Sequence, residues 1–216
     1  MTDRMMETTL YSLDDAAPSP ERAERRGDER HLTLFRVGSI QLGDRRELCL
    51  IKNISAGGMM IRAYCPLDEG DRLSVELKSG EPIDGVATWI RGQNVGVAFD
   101  EPVDIIDILS TSLSGPRPRM PRIEVDCPVT IYIDSQPISV RSVDVSQGGI
   151  KLAVDEPLPQ GNMDIGVGLP GLAPIRASVR WQKDGQAGVT FNRLLPLSDL
   201  VAWLEDCRTA RVRKVG

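Results

Sequence analysis

From residue 32 onward the apolar positions fall into short runs: "LTLFRVGSIQL", "ELCLIKNI", "MMIRAY", "RLSVELK", "IDGVATWIR" and "VGVAFD". Between them stand "GDR", "SAGG", "LDEGD", "SGEP" and "RGQN". Short apolar runs bounded by turn residues predict strands, and six at this spacing predict a small antiparallel sheet closed into a barrel. In such strands alternate side chains face the core, so Met59 and Met60 divide into one core and one surface position. After Phe99 the period lengthens. "EPVDIIDILSTSL" sets Ile105, Ile106, Ile108 and Leu109 at helical spacing behind Pro102, which predicts a helix over a barrel end.

The second half repeats this order. "IEVDCPVTIYI", "ISVRSVDV", "IKLAV", "MDIGVGL", "IRASVRWQ" and "AGVTF" read as six further strands. "LPLSDLVAWLEDCRTARVRK" follows, with Leu197, Leu200, Val201 and Leu204 as the apolar stripe of a final helix. "WIRGQNVGVAF" and "WQKDGQAGVTF" hold Trp89, Gly96 and Phe99, and Trp181, Gly188 and Phe191, at the same separations. A repeat of about 92 residues is a duplicated domain, because solenoid units span only some 20–50 residues. The expected fold is mainly β: two tandem six-stranded antiparallel barrels, each followed by a helix, with both tryptophans in the barrel cores. Residues 1–21 are expected to form a disordered tail, 22–113 the first domain with an arginine arm, 114–122 a Pro/Arg connector, and 123–216 the second domain.

Charge narrows the partners. With 26 Lys and Arg against 31 Asp and Glu, the chain carries a net charge of −5. Coating nucleic acid or an anionic membrane needs a basic surface, so no DNA or RNA partner is expected. No run reaches the roughly 20 apolar residues that span a bilayer, and the first 20 residues lack the apolar core of a signal peptide, so a cytoplasmic protein without membrane insertion is expected. The four cysteines, Cys49, Cys65, Cys127 and Cys207, form no CxxC pair, and most of them are expected to be buried reduced thiols. Catalytic chemistry finds little to use. The single histidine, His31, reads as a surface residue beside Arg30, and neither a Walker A loop nor a GxGxxG is present. An enzyme is not expected, nor is a metal or cofactor.

Binding chemistry is more distinct. "RAERRGDER" at 22–30 places Arg22, Arg25, Arg26 and Arg30 among acids that cancel their charge. What remains is individual guanidinium groups, which grip phosphate oxygens in pairs, bond the O6 and N7 edge of guanine or stack on a purine. Further on, Asn53 and Ser55 stand two apart, on one face of a strand end, before Gly57 and Gly58, whose expected role is a turn with positive φ. Arg26 and Arg30 make an RxxxR element in "RGDER", and Asn53, Ser55 and Gly58 make a [D/N]xSxxG element in "NISAGG". Together, over residues 22–112, they resemble the PilZ domain family of six-stranded barrels that bind cyclic di-GMP. The resemblance implies that Arg26 and Arg30 hold phosphates and guanine faces and that Asn53 and Ser55 bond a guanine edge. Gly58 keeps the surface clear, Gly96 borders the site, and Arg25 offers a further guanidinium for a second, stacked nucleotide.

The second copy departs from that pattern. "DVSQGG" retains Asp144, Ser146 and Gly149, but "GPRPRMPR" puts Pro118 four residues before Arg122, with Arg117 and Arg119 beside it. Arg119, Arg122, Asp144, Ser146 and Gly149 form a possible second site in a degenerate domain. The resemblance implies a non-enzymatic cyclic di-GMP sensor that changes conformation and signals through a protein partner, in motility, polysaccharide or virulence control. Two alternatives stand beside it: a nucleotide-independent adaptor, and an oligonucleotide-binding barrel pair.

Overall fold

A computed structural model describes residues 32–77, 82–108, 120–159 and 164–215. The first half closes into a barrel of β1 (Leu32–Leu42), β2 (Arg45–Ser55), β3 (Gly58–Ala63), β4 (Arg72–Glu76), β5 (Ile83–Arg91) and β6 (Asn94–Phe99), in the order β1-β2-β3-β6-β5-β4. All neighbours are antiparallel. Its core is filled by Ile40, Ile51, Ile54, Ile61 and Val75, each wholly buried, with Met59 inside and Met60 only partly covered.

Ile51 and Ile54 are three apart, yet both face inward. Strict alternation forbids that; the β2–β3 ladder slips between Ile51 and Asn53, so one extra residue is absorbed there. The slip turns Ile54 into the core and leaves Asn53 on the outer face. A second slip lies between Thr33 and Arg36 on β1, where Phe35 takes φ 34°. After β6 the chain enters a helical turn described at residues 105–108, where Ile105 packs on the core and Ile106 is 78% exposed. Leu109 of the expected helix lies outside the described residues.

The second half contains β7 (Ile123–Glu124), β8 (Pro128–Ile133), β9 (Gln136–Ser146), β10 (Gly149–Ala153), β11 (Asp164–Gly168), β12 (Ile175–Lys183) and β13 (Gln186–Phe191). Its order is β10-β13-β12-β11-β8-β9, and pairing of β9 with β10 closes the barrel. β7 and β8 both pair with β9 and together take the place that β1 has in the first copy. "IEVDCPVTIYI", expected as one strand, is therefore two. Pro128 has no N–H to give the ladder, and at the break Ser142 Oγ supplies the bonding instead. It accepts from the Cys127 N–H at 3.0 Å and donates to the Val125 carbonyl at 2.5 Å.

The last element, α1 (Leu197–Val215), buries Leu200 and Leu204 against the second barrel, with Leu197 and Val201 partly covered. Trp203, outside the expected stripe, is 1% exposed and is part of the same core. α1 also changes the reading of the cysteines. Cys127 and Cys207 form a disulfide with a Cα–Cα distance of 5.8 Å, although they are 80 residues apart in sequence. Only the docking of α1 brings them together, which is why no spacing rule revealed the pair. Cys49 and Cys65 remain thiols, and burial pushes them up to about 12 and about 11.

The barrels touch through β2. Leu48 is outward of its own core and joins the core of the second barrel. Beside it, the buried Glu47 carboxylate is paired with Arg208 of α1 and with Arg45 at 3.5 Å. Among the described residues, no helix is long and apolar enough to cross a membrane.

Two outcomes are expected. Unfolded without reductant, the chain should titrate two thiols, and four after reduction; four before reduction would remove the crosslink. Arg208→Ala leaves Glu47 with a single partner and should lower urea stability by about 1–3 kcal/mol, the range for a buried polar group losing a bond. A loss within 0.3 kcal/mol of zero would show that the pair contributes nothing.

Candidate functional site

The element "NISAGG" forms the β2–β3 hairpin. Ser55 pairs with Gly58 across a two-residue turn, and its buried hydroxyl donates to the Gly58 carbonyl at 3.1 Å. The turn then anchors the chain that leaves the barrel: Phe99 N–H reaches the Gly57 carbonyl at 3.0 Å, and Val103 N–H reaches that of Ala56 at 2.8 Å. "DVSQGG" does the same in the second barrel. Ser146 Oγ donates to the Gly149 carbonyl at 3.3 Å, Phe191 N–H to Gly148, and Leu195 N–H to Gln147 at 2.8 Å.

The glycine pairs depart from expectation. Neither has positive φ. The second glycine of each pair is needed because another strand passes too close: a Cβ on Gly58 would lie 2.5 Å from the Val97 carbonyl oxygen, and one on Gly149 2.3 Å from that of Val189. The two serines face inward. Both hydroxyls are buried and turned to the hairpin carbonyl, so Ser55 and Ser146 shape the turn beneath the outer face.

Asn53 remains on that outer face. Its Oδ1 accepts the Met60 N–H at 3.1 Å, and among the described residues its amide nitrogen has no acceptor. Cross-strand pairing sets Thr33, Asn53, Met60, Gly96 and Trp89 in one row across five strands. Trp89 is not a core residue, as expected from its sequence position, but a partly covered outer one. Its indole lies over Gly96, where a Cβ would come within 2.0 Å of the ring nitrogen. Arg91 adds a cation 5.6 Å from the same ring. Trp181 covers Gly188 identically and is 46% exposed. A flat ring over a glycine shields ladder bonds that a bare strand leaves open to water, which explains the W…G spacing shared by both copies.

The matching row of the second barrel is Glu124, Asp144, Lys151, Gly188 and Trp181. Here the carboxylate is occupied. Asp144, 14% exposed at its side chain, is ion-paired with Arg122 and with Lys151 at 3.4 Å. Lys151 stands where the first copy has Met60, a difference visible in "GGIKL" against "GGMMI" whose meaning needed the strand pairing.

Ladder register also revises how the arginines correspond. Leu32 pairs with Ile54 and Ile123 with Val145, so Ile123 corresponds to Leu32, and Arg122 to His31. Pro121 then falls at the place of Arg30 and Arg117 at that of Arg26. The second copy has thus lost the later arginine of the pair, where the motif spacing had pointed to the earlier one. Arg25, Arg26, Arg30 and Arg119 lie outside the described residues. Leu32, the first described residue, has as its ladder partner Ile54, which lies between Asn53 and Ser55.

The PilZ domain model matches residues 22–111 and, a second time, residues 116–206. The chain belongs to the PilZ family. No curated protein matches it. Among solved structures, this PilZ protein is similar to the Borreliella burgdorferi PlzA protein in complex with c-di-GMP, at 12% identity and TM-score 0.37, over 85% of this chain and 95% of that one. It is also similar to the Bacillus subtilis inhibitor of motility MotI/DgrA, at 15% identity and TM-score 0.33, over 82% and 96%. A third is the K. pneumonia MrkH–c-di-GMP complex, at 14% identity and TM-score 0.28, over 90% and 92%. Among the described residues of this PilZ protein, no three His, Cys, Asp or Glu side chains gather as a metal site would require.

Gly58→Ala should cost about 1–3 kcal/mol by forcing β3 and β6 apart, whereas Gly96→Ala should mainly displace the Trp89 ring, changing tryptophan emission at smaller loss of stability. Equal stability losses in chemical denaturation would contradict the difference between a backbone and a side-chain obstacle.

Proposed function

We propose that the first PilZ domain is a cyclic di-GMP receptor and that the second responds without binding the nucleotide. The observation that carries this reading is the unequal state of two matched hairpins. Asn53 has an amide nitrogen without a protein acceptor among the described residues, while its counterpart Asp144 is held by Arg122 and Lys151. Family membership and the RxxxR element just before β1 support the ligand assignment.

In this reading Arg26 and Arg30 bind the phosphates and guanine faces, and Arg25 holds a second, stacked nucleotide. Asn53 bonds a guanine edge. Ser55 and Gly58 fix the hairpin that aims it, and Gly96 carries the ring of Trp89 at the border. Guanidinium forks suit a phosphodiester because they offer two parallel charged bonds, stronger than neutral ones. Binding draws the arm onto the first barrel and alters the surface offered to a protein partner; the output is a contact rather than a reaction. Cellular control of motility, polysaccharide or virulence is the class of output proposed.

Calorimetry with cyclic di-GMP tests the reading. A hydrogen bond to a charged group contributes about 1.5–3 kcal/mol, so Arg30→Ala should weaken binding ~10- to 100-fold. Asn53→Ala should weaken it less, and Asp144→Ala should leave affinity and stoichiometry unchanged. No heat and no thermal shift for the native chain at high micromolar nucleotide would end the proposal. Halved stoichiometry in Asp144→Ala would place a ligand in the second domain. Because MrkH is described as a c-di-GMP-dependent transcription regulatory factor, a DNA mobility shift with and without nucleotide is the matching check on the expected absence of nucleic acid.

A further inference from the structure

Away from the hairpins, two consecutive residues of α1 are engaged on opposite sides of the barrel contact. Cys207 is covalently joined to Cys127 of the second barrel, and Arg208 reaches Glu47 of the first. Upstream, α1 is anchored by Leu200, Trp203 and Leu204, all buried. The next two residues after the arginine, Thr209 and Ala210, are exposed, and the disulfide is the last fixed point before the arginine. Glu47 depends on that arginine, because its carboxylate side chain is only 6% exposed and its other partner, Arg45, is 60% exposed at 3.5 Å.

Between the barrels lies an open cleft of about 1470 Å³, lined among others by Glu47, Arg208 and Cys207. Cys127 is not part of its lining. Both sulfurs are shielded, Cys127 and Cys207 each being 5% exposed, and the cleft that Cys207 borders is the side from which a small thiol comes nearest the crosslink.

We propose that the Cys127–Cys207 disulfide is a redox lock on the contact between the two barrels, holding the helical turn that presents Arg208 to Glu47. Its reductant is a small thiol of the glutathione class. One thiolate attacks Cys207 Sγ and the Sγ–Sγ bond breaks; Cys127 leaves as a thiolate and takes a proton. A second thiol then attacks the mixed disulfide, releasing Cys207 as a thiol and the reductant as its own disulfide. Two electrons enter the protein and two thiols of reductant are oxidised. With the lock open, the turn around Arg208 loses its last fixed point, Glu47 loses a held partner, and the coupling of β2 to α1 weakens. The lock operates whether or not the first barrel binds nucleotide.

Hydrogen exchange on the full chain, with and without a millimolar thiol reductant, tests it. Reduction, verified by the mass shift on alkylation, should raise exchange at least tenfold at residues 205–210 and at 46–49 of β2, and leave β12 and β13 unchanged. The double variant Cys127→Ser, Cys207→Ser should reproduce that pattern without reductant. In Arg208→Ala, β2 exchange should already be raised, and reductant should add nothing there. A fully reduced native chain with unchanged exchange at β2 would overturn the proposal. So would a crosslink that yields to the thiol only after β12 and β13 have unfolded. Should the double variant not fold, the comparison of the oxidised and reduced native chain decides alone.

Discussion

At the motif hairpin of each barrel two strands pass so closely that no side chain fits between them: a methyl group on Gly58 or Gly149 would stand 2.5 or 2.3 Å from the facing carbonyl oxygen. That contact joins β3 to β6 and β10 to β13, pairings between strands that are not neighbours in sequence. The hairpin just before it has little freedom. Its serine turns inward onto the glycine carbonyl, and its turn carbonyls receive the chain that leaves the barrel. A segment that reads as a ligand motif is thus also the clasp of the fold, and its outward-facing residue is the one two before the serine, Asn53 or Asp144.

That residue is where the copies part. With Met60 opposite it, Asn53 meets an apolar neighbour and a backbone N–H. With Lys151 opposite, Asp144 meets a cation from across the strand and a second from Arg122. A partly buried carboxylate with two cations already has its bonding partners, so engaging it with any other group would first require breaking ion pairs. The same scaffold therefore offers one open and one self-satisfied position. Beyond them the barrels are coupled by a different set of forces: Leu48 in a foreign core, Glu47 under Arg208, and α1 tied down by a disulfide.

Much of the barrel was legible because its signals are local. Run length, turn residues and the repeated W…G…F spacing placed twelve strands, and the helical stripe located α1. The split of β7 from β8 was hidden, since Pro128 breaks a ladder whose partner is not visible in a linear reading. Trp89 and Trp181 were assigned to the cores on hydrophobicity, yet lie outside over Gly96 and Gly188. Strand alternation can assign a face only when bulges are known, and β5 and β12 each carry one between the tryptophan and the preceding core residue.

By itself the sequence determined the duplication, the strand-and-turn rhythm and the chemistry available at each motif, because these depend on neighbours a few residues apart. Tertiary structure decided which atoms remain free to act. The burial of Ser55 and Ser146, the occupation of Asp144 by Lys151, and the meeting of Cys127 with Cys207 arise from register and docking. Such contacts join residues from strands and helices distant in the chain, and their energies depend on burial and distance, which no local pattern encodes.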